Sequence, residues 1–234
     1  QLCGPAGELE VAEGLGVDIL CETSVYHIEQ GANGWICHTS KGLFSAPSLL
    51  LATGAAEVAV PVPGWTLPGV MSIGAAQVMT NVQRVKVGEK GIIIGINVLS
   101  VAIALELRLA GIRIESLLLP GVNALTREAG NPEAVFSTLI RVSHMAPTRF
   151  LRFGSRMMKH PFFRKMGLTF YPKRGINIFG IPLQLKRAVT EIYGEKQVEG
   201  VRVADIRPDG EPIAGSRQDI PVGVVSPALA LFSP

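Results

Sequence analysis

Residues 49–77 read LLLATGAAEVAVPVPGWTLPGVMSIGAAQ, and few folds accommodate such a stretch. The apolar run Leu49-Leu50-Leu51 sits between Pro47 and Thr53-Gly54, a pattern that predicts a short buried strand halted at a glycine. A glycine at that stop lets backbone approach a neighbour that a side chain would hold off. Pro61, Pro63 and Pro68 follow, with Gly64, Gly69 and Gly74 among them. Each proline fixes φ and pushes its predecessor toward extended geometry, so the spacing predicts a stiff crossover rather than a helix or a floppy linker. Strand, glycine stop and crossover together predict a chain leaving one domain for another.

Three pieces of this stretch also carry a resemblance: Ala52-Thr53-Gly54, the run from Pro63 to Val70 (PGWTLPGV), and Gly74-Ala75-Ala76-Gln77. At this spacing they resemble the two-dinucleotide-domain flavoproteins related to pyridine nucleotide–disulfide oxidoreductases. The similarity is greatest to the FAD-containing subunits of amine and amino-acid dehydrogenases of the opine oxidase and hydrogen cyanide synthase type. The resemblance implies an α/β fold in which a Rossmann-like nucleotide-binding domain, a parallel sheet with a β-meander, is inserted in a partial FAD-binding domain. It implies residues 1–60 for that partial domain, 61–207 for the NAD(P)-binding-like domain, and 208–234 for the return strand. FAD is the implied cofactor, with Ala52, Thr53 and Gly54 passing the flavin. Ser24-Val25 either touch the adenine through backbone atoms, as the resemblance implies, or form an ordinary strand.

Apolar residues make up 47% of the 234 and charged residues 18%, enough for a core and against general disorder. The mean hydropathy of +0.34 raises the question of a membrane span, but the longest apolar candidate, 91–105, is too short and runs into Glu106 and Arg108. Strands buried on both faces of a parallel sheet account for the excess. Cys3, Cys21 and Cys37 show no C-x-x-C or C-x4-C spacing, so inert thiols in a reduced, cytoplasmic setting are expected, without disulfide reductase chemistry. The chain begins at Gln1, shows no signal peptide, and reads as a piece of a longer protein.

Along the chain, 12–19 reads as a helix tail, a stop at Gly16 and the start of a strand. Three β-like segments follow, 21–29, 34–39 and 43–51, separated by the hairpin signals Gly31-Ala32-Asn33-Gly34 and Lys41-Gly42. No G-x-G-x-x-G follows a strand in the first 20 residues, so the turn that would hold the FAD pyrophosphate is expected upstream of Gln1.

Residues 87–119 predict a βαβ unit: strand at 91–94, helix at 97–110 with a stop at Gly111, strand at 112–119. Its turn reads Gly95-Ile96-Asn97-Val98-Leu99-Ser100, so only the first glycine of a dinucleotide fingerprint remains. Asn97 puts a side chain where the phosphate would approach, and Ser100 replaces the glycine of close helix–strand packing. The second strand ends Leu118-Leu119-Pro120 without a ribose-binding acid, and Glu115 comes too early. The domain geometry is therefore expected to persist while NAD(P) binding is weakened or lost. Gly95, Asn97 and Ser100 are the residues that would face such a cofactor.

From Arg141 to Arg174 there are nine basic side chains and no acidic one, with Phe150, Phe153, Met157, Phe162 and Phe163 interleaved. That pattern fits an amphipathic helix pair with a solvated basic face, or a surface for an acidic partner subunit or an anionic membrane through 141–174. Nucleic acid is not expected, because the net charge is only +3 and no nucleic-acid module is recognisable. Strands at 168–171, 176–179, 188–193 and 198–204, a hairpin turn at 194–197, and a final strand at 220–225 complete the reading.

No general base or nucleophile constellation stands out, and catalytic residues are not assigned. His27, His38, His144 and His160 are scattered without a spacing such as H-x3-H, so no metal site is expected. The expected function is a fragment of an FAD-dependent dehydrogenase passing hydride from a small amine or amino-acid substrate to flavin, with other subunits as partners. Alternatives are a non-catalytic subunit with a degenerate NAD site, or a basic docking module.

Overall fold

The computed structural model describes residues 6–53, 56–57, 61–141, 166–228 and 231–232. The chain divides into two compact units, Gln1–Gly54 and Ala55–Pro234.

In the first unit, helix α1 (Ala6–Gly14) ends at Gly16, whose φ of +77° is the left-handed stop that glycine accepts without cost. A three-stranded antiparallel meander follows: β1 (Val25–Gly31), β2 (Gly34–Thr39) and β3 (Gly42–Ala46). The two hairpin signals sit where expected. Ala32-Asn33 joins β1 to β2, with Gly31 opposite Gly34, and Ser40-Lys41 joins β2 to β3.

The second unit is built on the predicted βαβ unit: β5 (Lys90–Ile94), α3 (Val98–Leu109) and β6 (Arg113–Pro120), with β5 and β6 parallel. Gly111, at φ +87°, ends the helix. Before it lie β4 (Ala56–Glu57) and α2 (Ile73–Asn81), and after it α4 (Pro132–Arg141), β7 (Ile176–Ile178), β8 (Ile181–Tyr193), β9 (Gly200–Asp205), β10 (Gln218–Pro221), β11 (Val224–Pro227) and β12 (Leu231–Phe232). The main sheet runs β10-β9-β8-β6-β5-β11, with β7 on β8, and β12 pairs with β4 in a separate ribbon. β11 is parallel to β5 and β8 parallel to β6, while β9 and β10 extend the sheet antiparallel.

Successive residues of the central strands point to opposite faces, and both faces are buried. Ile93, Leu117 and Leu119 join Ile103, Ala104 and Leu107 of α3 in one apolar cluster. Ile92, Ile94 and Leu118 join Val189, Val201, Val203 and Val225 in a second. This is why 91–94 and 117–119 read as unbroken apolar runs: a parallel strand covered on both sides has no polar face. Each fully buried isoleucine or leucine adds about 1.5–3 kcal/mol to folding.

The proline-rich segment is a run of turns at the rim of this unit, with Trp65 N donating to Val62 O at 2.9 Å, Leu67 N to Gly64 O at 3.1 Å and Val70 N to Leu67 O at 3.0 Å. Ile192 N donates to Pro63 O at 2.7 Å and Val198 N to Pro68 O at 2.8 Å, while Val70 bridges Val225 in parallel. Gly64 has φ +84°, and a Cβ there would lie 1.9 Å from Ile192 O, so only glycine permits this approach.

Several expected strands take other forms. Residues 17–20 and 21–24 lie outside any ladder, and the third meander strand ends at Ala46 rather than Leu51. Leu49-Leu50-Leu51 is therefore not a buried strand: Leu50 is 89% and Leu51 62% exposed. A parallel-type strand needs neighbours to pair with, and among the described residues none pairs with 48–53. Residues 166–169 are helical, with Phe170 N donating to Met166 O at 3.0 Å. Leu168 and Tyr171, three apart, are the buried pair, the spacing of a helical turn rather than a strand.

The run 220–225 is two strands. β10 ends at Pro221 and β11 begins at Val224, at opposite ends of the strand order. The sheet must fold back on itself for two residues to span those ends. Val222 N donates to Glu199 O at 3.2 Å and Gly223 N to Lys90 O at 3.0 Å, tying the antiparallel strands β8–β10 to the parallel layer. The second apolar cluster fills the space enclosed.

Cys21 is disulfide-bonded, against the expectation of inert thiols, while Cys37 is free and half-buried. Among the described residues no helix is long and apolar enough to cross a membrane. Most of the basic stretch of 141–174, namely 142–165, lies outside the described residues.

Candidate functional site

The turn between β5 and α3 is where a Rossmann-type fold binds a dinucleotide phosphate. Here it is closed by the chain itself. Asn97, extended at φ −148° and ψ 177°, is the N-cap of α3. Its Oδ1 accepts from Ser100 N at 2.8 Å, and Ser100 Oγ accepts from Asn97 N at 2.9 Å, a reciprocal capping box. Asn97 Nδ2 donates to Ala228 O at 2.8 Å, and Ala228 N donates to Ile94 O at 2.7 Å. The segment after β11 thus crosses the turn, pinned on both sides.

Gly95 has φ +115°, and an added Cβ would sit 2.3 Å from Ala228 O. Its glycine character is explained by that crossing, with no phosphate required. Ser100 is completely buried, so its hydroxyl serves the cap. The first turn of α3 carries no acidic residue.

The far side of this region offers no ribose acid. Leu118, Leu119 and Pro120 at the end of β6 are buried, and Gly121 N donates to Val189 O at 3.1 Å. Glu115 is held at the other end of the strand by Lys90 at 3.4 Å and Arg113 at 3.1 Å. The residues of this turn therefore do not fit an NAD(P) pyrophosphate and ribose.

The other predicted positions lie in the first unit. Ser24 exchanges both its backbone groups with Ser40: its N donates to Ser40 Oγ at 3.1 Å, and its O accepts from Ser40 N at 2.9 Å. Val25 opens β1 opposite Thr39, with 53% of its surface exposed. Ala52 and Thr53 are exposed and outside any ladder. Gly54 lies outside the described residues.

Two arrangements were not legible as sites. Glu57, reached through β4, accepts Gly74 N with both carboxylate oxygens at 3.0 Å, and so anchors the start of α2 together with the Ser72 cap. A Cβ on Gly74 would meet Glu57 Oε2 at 2.8 Å, so glycine makes that approach. On the meander, His27 and Glu29 of β1 share a face with His38 of β2. His38 Nε2 lies 2.9 Å from Glu29 Oε1 and His27 Nε2 lies 3.9 Å from Glu29 Oε2. The His38 hydrogen bond, with the nearby imidazoles, holds the Glu29 carboxyl below its ordinary range. The signal was present in the sequence: a two-residue turn at Ala32-Asn33 that sets Gly31 opposite Gly34 also sets His27 opposite His38.

No family model matches the chain. Among curated proteins it is 32% identical over 184 residues to the hydrogen cyanide synthase subunit HcnB of Pseudomonas aeruginosa, covering 76% of this chain and 34% of that protein. It is 32% identical over 105 residues to an opine oxidase subunit of Rhizobium meliloti, covering 44% of this chain and 23% of that protein. The chain thus spans about a third or less of these relatives, both subunits by name. Among solved structures, thioredoxin reductase of T. acidophilum superposes with a TM-score of 0.54 at 15% identity, over 96% of this chain and 58% of that one. The ferredoxin reductase of the CYP199A2 system of Rhodopseudomonas palustris gives 0.51 at 16% identity, over 98% and 45%. Those structures share its mixed α/β, Rossmann-like fold. The chain belongs to the family that HcnB and these opine oxidase subunits represent.

Proposed function

We propose that this chain is the central part of an FAD-dependent oxidoreductase subunit that takes hydride from an amine or amino-acid substrate. The sequence relation to HcnB, spread over 76% of the chain, carries the reading. Bound FAD supplies the hydride acceptor. In this reading residues 1–60 and 208–234 belong to the FAD-binding part of the whole protein, with 61–207 as the nested nucleotide-type domain. That nested domain is a scaffold: the Asn97–Ser100 capping box and the Ala228 crossing support a turn kept for structure after dinucleotide binding was lost. Electrons then leave the flavin through other subunits rather than through NAD(P), in keeping with relatives that are subunits by name. The amine or amino-acid class rests on family resemblance, supported by relatives whose names include opine oxidase.

The test is spectroscopic. The protein that contains this chain, purified with its companion subunits, is expected to show flavin absorption bands that bleach anaerobically on adding an opine or amino acid. Bands that stay unbleached across secondary amines, amino acids and opines would sink the substrate class, and a colourless protein after flavin reconstitution would sink the reading itself. NADH is expected to leave the bands untouched.

A further inference from the structure

We infer that the exposed face of the β1–β2 hairpin holds a divalent transition-metal ion of the zinc class, ligated by His27, Glu29 and His38. Nothing in the flavin reading calls for this site, and it stands or falls separately. The three side chains each offer one ligand atom, and those atoms lie within 4.8 Å of one another. Ligand atoms around a tetrahedral zinc, at bonds of about 2.0–2.1 Å, are roughly 3.3 Å apart. The observed separations of 2.9 Å for His38–Glu29 and 3.9 Å for His27–Glu29 bracket that value. Small side-chain rotations bring all three onto one ion.

The backbone contributes the preorganisation. His27 and His38 are directly paired in the antiparallel ladder, and Glu29 is two residues along β1, on the same face. The imidazole rings meet edge to face with centroids 5.1 Å apart. The carboxylate lies between them, one oxygen toward each ring. Once the hydrogen that His38 Nε2 donates to Glu29 Oε1 is displaced, the set offers a carboxylate and two imidazole nitrogens, a donor set that suits a cation. Two imidazoles in three ligands select zinc, copper, nickel or cobalt over calcium and magnesium, which prefer oxygen. Half-exposed side chains, 59% for His27 and 50% for Glu29, leave room for water to complete the coordination. The site is therefore open and exchangeable, weaker than a closed structural zinc site.

The experiment uses the full 234-residue chain after chelator treatment. Calorimetric titration with Zn²⁺ is expected to show one ion per chain, and Co²⁺ is expected to develop the intense visible bands of a low-coordinate nitrogen–oxygen site. His27→Ala and His38→Ala should each weaken zinc binding by at least about tenfold. Circular dichroism should be unchanged in both, because these side chains project from the strands rather than filling a core. Excess Mg²⁺ or Ca²⁺ should fail to displace the ion. Zinc affinity unaltered in the His27→Ala/His38→Ala double variant would overturn the assignment, as would no zinc heat at all or full displacement by magnesium.

Discussion

Asn97 does for helix α3 what a bound phosphate does in an open dinucleotide turn: it places an oxygen on a first-turn amide. It also ties that turn to Ala228, 131 residues later in the chain. Asn97→Ala removes both bonds, and the loss of the cap alone is worth about 0.5–2 kcal/mol; a lowered calorimetric melting temperature is the expected result. Asn97→Asp separates the two roles. Its carboxylate still caps Ser100 N but cannot donate to Ala228, so its loss of stability measures the second bond. Asn97→Gly should gain no NADH affinity, because Gly95 stays crowded by Ala228 O at 2.3 Å from any Cβ; NADH binding by fluorescence titration would show that the turn is open after all. Tyr171 gives a second residue-scale prediction. Its hydroxyl donates to Leu183 O from a buried position, and burial raises its pKa above the ordinary range, partly offset by a bond from Ile176 N. With the folded pKa raised, the unfolded chain ionises first, so Tyr171 stabilises fully below about pH 10 and its contribution falls as pH rises beyond that value. Denaturation midpoints should drop on the alkaline side in the parent protein, and Tyr171→Phe should flatten that slope.

At the scale of elements, the proline-stiffened segment is a part of the sheet's architecture rather than a passive link. Gly64 and Gly215 make a controlled comparison, since both have left-handed φ, +84° and +77°. Alanine at Gly215 meets open space and should cost only the conformational strain, roughly 1–2 kcal/mol. Alanine at Gly64 adds a Cβ 1.9 Å from Ile192 O, and about 3 kcal/mol or more is expected in urea unfolding. Equal losses at the two positions would mean that the segment does not dock on the β8–β9 hairpin. The βαβ unit was legible because its signals are local: an apolar run, a helical period and Gly111. The meander was legible because its turns are. Leu49–Leu51 was not, since an apolar triplet becomes a buried strand only when neighbours pair with it. The split of 220–225 was invisible for a related reason: alternation along one segment says nothing of a sheet that folds back and uses its two halves on different edges. The His27–His38 pair follows from the register that the Ala32-Asn33 turn sets and emerges only when that register is written out residue by residue, while nothing local to Asn97 hints that its side chain reaches Ala228.

The whole molecule is uneven in where its stability resides. Every buried hydrophobic side chain among the described residues belongs to the second unit, from Val62 onward, and most of them fall in two clusters on either face of one sheet. The first unit has a three-stranded meander and a helix but, among its described residues, only Thr39 is buried. Three strands with so little apolar burial are marginal without further packing. Backbone hydrogen bonds close to solvent open by local fluctuation, whereas those between two apolar layers open only when the layers part. Hydrogen exchange should therefore rank the strands. Amides of β5, β6 and β8 should exchange slowest, limited by global unfolding of the second unit, and those of β1–β3 orders of magnitude faster. Flavin, where the surrounding protein supplies the rest of its site, should slow exchange in β1 and at 52–53 selectively, because a ligand stabilises the element that it touches. Uniform protection across both units in the flavin-free chain would show that the meander draws on burial absent from the described residues and is not marginal on its own.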